Sequence, residues 1–487
     1  MIKITCNVEK GPTLEIVLKW NRGYSWVDSG DVIGKGYIIY GNRIYHPDNF
    51  DALFGNVSKK EHLIRMLRKF SGNFAFILCK KKFIAIAMDI VRTFPLFYTK
   101  LAGDLFLISD DTFYIRSKMS PPLHSLELAE FLRTGLFVTG RETLLEKIYQ
   151  VQAGEVLFIE SNNSLSPIFY HNYAVRDNEI IDNIHNIKSQ VTRILNRLAN
   201  LLVELANGNE IVIPLSGGYD SRAIAAMLKR AGFKDVILYT HGTQDSPEAL
   251  VAEKVAEKLG YPWYLIEYSP NNMKLEFYKS EEFEDFFRVA FNHSSLPHLG
   301  DFPAVYYLKK NSVVGKNSIF VPGHSGDFLG GSHLRKLKIP RNINEVVDVI
   351  FVKHYEHNPH INRDSELKQR IKNQILQFYS KGTQLWSLDD NWNMKERQAK
   401  YIVNSLRVYE TFGYPHATPL WDLELVELFR RVSLKYKLKR VVYDEVLLEY
   451  LFSPLGVGII THGKYRSWIS NLRYFAKNSF HTDFNII

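Results

Sequence analysis

Ser216-Gly217-Gly218-Tyr219-Asp220-Ser221 stands between Glu210-Ile211-Val212-Ile213-Pro214-Leu215, which reads as a buried strand, and Arg222 to Ala231, which reads as a helix. A strand, a glycine turn and a helix N-terminus together present backbone N–H groups to a phosphate. The two glycines let the backbone approach a ligand with no Cβ in the way. Ser216 and Ser221 add hydroxyl donors, and Asp220 is a candidate for holding a Mg²⁺ that bridges phosphate oxygens. The competing reading is a glycine turn with no ligand. The whole hexapeptide between strand and helix favours the phosphate cradle.

Outward from this stretch, strand and helix patterns alternate. Ile187 to Ala206 is a long amphipathic helix, followed by Ile211 to Leu215, Ser221 to Ala231, Val236 to Thr240, Pro247 to Leu259 and Trp263 to Glu267. That order predicts a doubly wound parallel sheet, an α/β domain with its ligand at the carboxyl ends of the strands. Beyond residue 335 the chain reads as mainly helical. Residues 1–170 differ. Short β-type runs such as Leu14 to Trp20, Gly36 to Tyr40, Asn73 to Cys79, Phe83 to Asp89, Leu105 to Ser109 and Glu155 to Glu160 are broken by turns, with helical patterns at Lys60 to Phe70 and Ser125 to Leu132. They predict an α+β domain of stacked antiparallel sheets. The polar stretch from His171 to Asn183 reads as a linker, so the expected plan is domains at 1–170 and 187–487 joined by 171–186.

Composition sets outer bounds. The 487 residues suffice for two or three full cores, and 46% apolar with 23% charged residues is ordinary for a globular protein. A net charge of +9 permits anionic partners, but the basic residues are dispersed, and Lys80-Lys81-Lys82 reads as a hairpin tip. No nucleic-acid partner is expected. Cys6 and Cys79 are the two cysteines, which argues against a disulfide framework or a cysteine zinc site and for a reducing compartment. Met1 to Cys6 alternates like a strand, with no apolar signal segment, and no apolar run reaches ~18 residues. A cytoplasmic enzyme without a membrane span is expected. His354, His357 and His360 are three apart, but Asn358-Pro359 interrupts a helix that would align them, so a solvated turn is the better reading than a metal cluster.

The hexapeptide resembles the PP-loop, SGGxDS, of enzymes that split ATP into AMP and pyrophosphate. The order of parts resembles the asparagine synthetase family, which pairs an N-terminal glutaminase-type (Ntn) domain with a PP-loop synthetase domain. Gly323-His324-Ser325-Gly326-Asp327 with Gly330-Gly331 stands where the family carries GEGSDE…GG, after the apolar Ile319-Phe320-Val321. Pro419-Leu420-Trp421-Asp422 resembles its PFLD element, with Asp422 a candidate helix N-cap. In the first half, Ser71 to Phe76 resembles the GxFAFA strand, Asp89 to Tyr98 the RDxxGxxPLYY segment, and Gly41 to Tyr45 the NGEIYN segment. The resemblance implies ATP held by Leu215, Ser216, Gly217, Gly218, Asp220, Ser221, His241 and Gly323, and Mg²⁺ held by Asp220 and Asp327. It places a basic stretch at Lys439 and Arg440, where a family lysine steadies pyrophosphate, and so makes Lys439 a candidate catalytic residue. The position that best matches that lysine falls on Tyr443 or Asp444, and an ordinary surface lysine is the competing reading of Lys439.

The chain also departs from the pattern. The family's glutaminase uses a cysteine at the processed N-terminus, its free α-amine acting as base. Here the chain starts Met1-Ile2-Lys3, Cys6 is internal, and the glutamine-binding HRGPD segment is absent. The first domain is therefore expected to be an inactive glutaminase, and nitrogen to come from free ammonia, a separate glutaminase or an amine on another substrate. His324 replaces the family's glutamate and is a candidate base, against a loop histidine contacting nucleotide. Pro415-His416-Ala417-Thr418 replaces acidic and basic residues of the acceptor site, pointing away from aspartate.

The expected activity is ATP-dependent amide formation through an acyl-adenylate, on a small-molecule carboxylate, in surface-polysaccharide or specialised-metabolite synthesis, with a homodimer as candidate assembly. Alternatives are a strict asparagine synthase, a PP-loop RNA-modifying enzyme and a non-catalytic nucleotide-binding scaffold. Sulfur-transferring PP-loop enzymes usually need cysteines near that loop, and a basic RNA-binding appendage is not evident, although Lys464 to Lys477 carries four basic residues.

Overall fold

Alternation at the N-terminus sets the first sheet. In the computed structural model, which describes residues 1–9, 11–268, 275–334 and 339–458, β1 (Ile2–Asn7) pairs antiparallel with β2 (Thr13–Leu18). The sheet continues through β10 (Leu105–Ser109), parallel to β2, then β9 (Phe97–Lys100) and β11 (Tyr149–Gln150). The second sheet is antiparallel throughout and ordered β13-β12-β8-β7-β4-β3, from β3 (Val27–Asp28), β4 (Val32–Gly36), β7 (Phe74–Lys80), β8 (Phe83–Met88), β12 (Glu155–Glu160) and β13 (Leu165–Phe169). Between β4 and β7 lies the hairpin β5 (Ile38–Tyr40) and β6 (Arg43–Tyr45). Gly36 closes β4, so the expected Gly36 to Tyr40 strand is divided between a sheet and a hairpin.

Period-two patterning explains the stacking. Ile16, Leu18, Phe106 and Ile108 of the first sheet meet Ile77, Ile84, Ile86 and Leu157 of the second in one core. The other face of β7 and β8, with Phe74, Phe76, Phe83 and Ala85, joins the core that extends through the second half of the chain. These strands are buried on both faces, which is why they read as unbroken apolar runs.

The cysteine reading is corrected. Cys6 on β1 and Cys79 on β7 form a disulfide across the two sheets, with Cα atoms 6.3 Å apart and 73 residues between them in sequence. Both lie at partly buried strand positions against the inter-sheet core. Stacking the sheets makes them neighbours, which a count of two cysteines does not reveal.

The linker is corrected as well. Tyr173, Ala174 and Val175 are buried. The Tyr173 N–H donates to Asn391 Oδ1, the Val175 N–H to Ser387 Oγ, and the Gln384 N–H to the Val175 carbonyl. The stretch is a packed strap, and its three buried residues outweigh its polar composition. The amphipathic helix that follows runs Ile184–Ala206, with the Asn183 side chain capping the Asn186 N–H.

The parallel sheet is built from β14 (Ile211–Pro214), β15 (Val236–Gly242), β16 (Trp263–Glu267) and β17 (Ile319–Phe320), ordered β16-β15-β14-β17. The chain steps outward from β14 to β15 and β16, then returns to the far side of β14. Strand order therefore reverses between β14 and β17. Their carboxyl ends form a topological switch point, the crevice where open α/β sheets take ligands.

Behind this crevice runs a long buried helical spine. Leu385–Asn393 passes through the π-helical Met394–Ile402 and the 3-10 turn Val403–Leu406 into Arg407–Thr411. It carries Asp389, Asp390, Lys395, Glu396, Lys400, Arg407 and Glu410, all buried. A helix so polar on its buried faces must find its partners inside, and they come from both halves of the chain. Lys395 Nζ donates to the Ala153 and His171 carbonyls, and Lys400 Nζ to those of Val138 and Gly140. Glu410 receives Trp20 Nε1 at 2.8 Å, His416 at 2.9 Å, the Arg407 guanidinium at 2.8 and 3.0 Å, and Lys35 Nζ at 3.5 Å.

Among the described residues, no helix is long and apolar enough to cross a membrane. Lys464 to Lys477 lies outside the described residues.

Candidate nucleotide site

The switch point brings together two loops. After β14, residues Leu215 to Gly218 turn into the helix Tyr219–Arg230, with Gly218 as its extended N-cap. The turn braces itself: the Ser216 N–H donates to Ser221 Oγ at 3.0 Å, and the Gly218 N–H to Ser216 Oγ at 3.2 Å. Thr240 Oγ1 on β15 holds the Leu215 carbonyl at 2.7 Å. Arg222, fully buried, donates to the Gly217 carbonyl at 2.8 Å and to the Val457 carbonyl at 3.0 Å, fastening the loop from behind. Gly217 leaves little space for a side chain, since a Cβ there would lie 3.2 Å from Glu248 Cα.

After β17 comes the second loop. Gly323 packs on the first: a Cβ would lie 2.6 Å from the Ser221 nitrogen. Asp327 enters at the start of the short helix Gly326–Gly330. Its backbone N–H donates to Asp220 Oδ2 at 2.6 Å, and its carboxylate accepts from Ser332 Oγ at 2.9 Å. The sequence thus places Asp220 and Asp327 on separate strand ends, and the fold joins them. Burial, reinforced by the neighbouring Asp327 charge, pushes the Asp220 carboxyl up to about 7. Two adjoining carboxylates beside a phosphate cradle are a donor set that fits Mg²⁺, which binds one or two carboxylates together with phosphate oxygens. Among the described residues, no group of three His, Cys, Asp or Glu side chains is arranged to hold a metal ion. His354 ends the helix Ile343–His354, and His357 and His360 are exposed.

The other sequence candidates fall around the crevice at different depths. His241, at the end of β15, pairs with Asp301 at 3.0 Å and stacks on Tyr268 with ring centres 4.9 Å apart. Burial would raise the Asp301 carboxyl, but the hydrogen bonds from His241 and from Tyr409 hold it at about 2, an ionised partner that orients the imidazole. His324 lies beside Ser405 of the spine, its Nε2 3.5 Å from Oγ, while its Nδ1 is buried with no hydrogen-bond partner. Burial lowers its pKa to about 4, so the ring is neutral near pH 7.

Lys439 is exposed. The basic group directed at the loops is its neighbour Arg440, whose guanidinium lies 3.9 Å from Asp220 and 2.7 Å from Asp444. Tyr443, which the sequence offers as a match in register to the family's lysine, donates its hydroxyl to Asp220 Oδ1 at 2.9 Å. Asp422 caps the helix Leu423–Arg431 as expected, accepting from the Glu424 and Leu425 N–H groups. The same residue also takes Ser71 Oγ and Arg197, tying three parts of the chain together.

Residues 205–285 match the family model described as asparagine synthase. That stretch contains the Ser216 to Ser221 loop and β14 to β16. The tRNA-specific 2-thiouridylase MnmA of Caulobacter vibrioides is 35% identical over 97 residues, 17% of this chain and 24% of the relative, so the chain spans about a quarter of that curated protein's length. Among solved structures, the NH3-dependent NAD synthetase from Campylobacter jejuni is similar at 17% identity and a TM-score of 0.23, over 44% of this chain and 95% of that one. Glutamine phosphoribosylpyrophosphate amidotransferase from B. subtilis is similar at 13% identity and a TM-score of 0.20, over 64% and 59%.

Proposed function

We propose that this protein is an ATP-dependent, AMP-forming amide ligase of the asparagine synthase type, with its one active centre at the switch point. The observation that carries the reading is the hydrogen bond from the Asp327 backbone N–H to the Asp220 carboxylate, which joins the second loop to the Ser216 to Ser221 cradle; the cradle, with Asp220, lies in the 205–285 stretch that matches the family model.

The chemistry runs in two steps. The backbone N–H groups of Gly217 and Tyr219 and the two serine hydroxyls hold the phosphates of ATP. An oxygen of the acceptor carboxylate attacks the α-phosphorus, the bond to the bridging oxygen breaks, and pyrophosphate leaves. Asp220 and Asp327 would hold a Mg²⁺ ion, which would supply charge neutralisation at that departing group. Arg440 adds a fixed positive charge at the same edge. A nitrogen of ammonia or an amine then attacks the acyl carbon and AMP departs. The neutral His324 ring accepts a hydrogen bond from that nitrogen and takes up its proton. Holding the two reactants together supplies much of the rate.

The first half of the chain is read as a scaffold without glutaminase chemistry. Cys6 is internal and tied to Cys79, so it offers neither a free thiol nor a free α-amine. The similarity to a tRNA thiouridylase keeps a second reading, RNA modification by sulfur transfer, in view. The disulfide disfavours it, because both cysteines of the chain belong to the N-terminal sheets rather than to the loop.

Pyrophosphate release from ATP, measured with pooled small carboxylic acids and either ammonia or glutamine, tests the proposal. Release with ammonia, dependent on a carboxylic acid, is the expected result. Equal release with glutamine alone overturns the inactive-glutaminase reading. Nucleotide binding with no turnover on any acid favours a silent scaffold.

A further inference from the structure

Gly326, Gly330 and Gly331 of the second loop stand where the resembling family carries its glycines. The space beside them is taken by protein. A Cβ on Gly326 would run into the Tyr443 hydroxyl and lie 2.9 Å from Asp220. One on Gly330 would meet the Tyr443 ring at 2.9 Å, and one on Gly331, whose φ is +92°, would lie 2.6 Å from the Lys437 carbonyl oxygen. All three glycines receive the same segment, residues 437–443.

That segment is built at some cost. Lys437 is fully buried, its ammonium 2.8 Å from Asp390 and 5.0 and 5.1 Å from the ring centres of Tyr173 and Trp386. Lys439 and Arg440 are consecutive non-glycine residues in the left-handed region, with φ of 58° and 62°. Such conformations persist only where the surroundings enforce them, and they cluster at functional sites. Here they swing the chain so that Arg440 and Tyr443 both face Asp220, with the guanidinium resting on the Tyr219 and Tyr443 rings at 5.8 and 5.0 Å.

We propose that residues 437–443 form a third wall of the nucleotide site and that Tyr443 is the positioning residue which fixes the Asp220 carboxylate for its divalent cation. This rests on the nucleotide-site reading above. Tyr443 donates to Oδ1 and the Asp327 N–H to Oδ2, so the carboxylate plane is set from both ends. Each oxygen keeps a lone pair for a metal. A carboxylate fixed beforehand loses little freedom when the cation arrives, which raises affinity.

The test is Mn²⁺ binding to the full chain, followed by electron paramagnetic resonance, with α,β-methylene-ATP present. Tyr443→Phe keeps the ring and removes the donor. It should weaken Mn²⁺ binding about tenfold, while the melting temperature and the metal-free affinity for the analogue stay at the wild-type values. Gly326→Ala, which displaces the hydroxyl by a different route, should weaken Mn²⁺ binding in the same direction. Unchanged Mn²⁺ affinity in Tyr443→Phe, with Asp220→Asn losing it, overturns this proposal alone. A melting temperature that falls in step with the affinity also overturns it, because the hydroxyl would then serve packing. No Mn²⁺ binding by the wild-type protein with the analogue overturns the nucleotide-site reading and this inference with it.

Discussion

Glu410 and Asp220 are both carboxylates inside the protein, set in opposite surroundings. Glu410 lies where the two halves of the chain meet. Burial alone would raise its pKa, yet Arg407 and Lys35 beside it, with the hydrogen bond from His416, hold it at about 2. Its negative charge is answered several times over by protein. Asp220 lies at the switch point, where its nearest ionisable neighbours are a second carboxylate and one guanidinium, and it is pushed up to about 7. The interface cluster is electrically complete. The crevice keeps excess negative charge, an arrangement suited to a cation brought by a ligand. Polar burial in the first region serves to join; in the second it serves to bind.

Five substitutions test this contrast. The largest effect is expected from Asp220→Asn, which keeps the shape and removes the charge. Pyrophosphate release should fall about 10³-fold or more, with the melting temperature unchanged or raised. Wild-type turnover in this variant breaks the assignment of the crevice as the metal site.

Glu410→Gln should do the reverse. It leaves Arg407 and Lys35 without their counter-charge and should cost about 3–5 kcal/mol of stability in urea unfolding. The folded pKa of about 2 lies below the ordinary 4.5. The stabilisation is therefore present above the ordinary value and is lost as pH falls toward 2. The gap between wild type and variant should narrow from pH 5 downward. A variant as stable as wild type but inactive would move this cluster from joining to catalysis.

Cys6→Ser opens the link between the two N-terminal sheets. A loss of about 2–4 kcal/mol is expected, and dithiothreitol should lower the wild-type melting temperature but not that of the variant. Pyrophosphate release per folded molecule should remain, since the disulfide belongs to the joining region.

The smallest pair separates two neighbours. Arg440→Gln should weaken pyrophosphate release about tenfold, whereas Lys439→Gln, an exposed side chain, should stay within about twofold. The opposite ranking would return the role to Lys439, as the sequence reading has it.

The strand, turn and helix around Ser216 to Ser221 were legible because their information is local. Strand, glycine turn and helix follow within twenty residues, and Pro247–Leu259, Trp263–Glu267 and Glu155–Glu160 form with the expected bounds. What escaped the sequence is what depends on distant partners. Cys6 and Cys79 meet only after two sheets stack. Tyr443 reaches Asp220 across 223 positions, so the sequence offers it as a match in register but not as a partner of Asp220. The spine from Leu385 to Thr411 is rich in charge and so resembles a surface helix. It is buried because Trp20, Lys35, Ala153 and Gly140 supply partners from one side and Ala290, His333 and Lys437 from the other. The strap at 171–176 reads as a linker for the same reason: its polar residues hide three buried neighbours.

That spine also decides how the molecule comes apart. Its charged residues have no wet face to retreat to, and each half of the chain holds some of their counterparts. Removing residues 1–170 would leave Lys395, Lys400 and Glu410 short of the carbonyls, indole and ammonium that now satisfy them. The two halves are bound into one cooperative unit, which should melt in a single transition rather than domain by domain. The first half is thereby an obligatory share of the fold, whatever chemistry it carries.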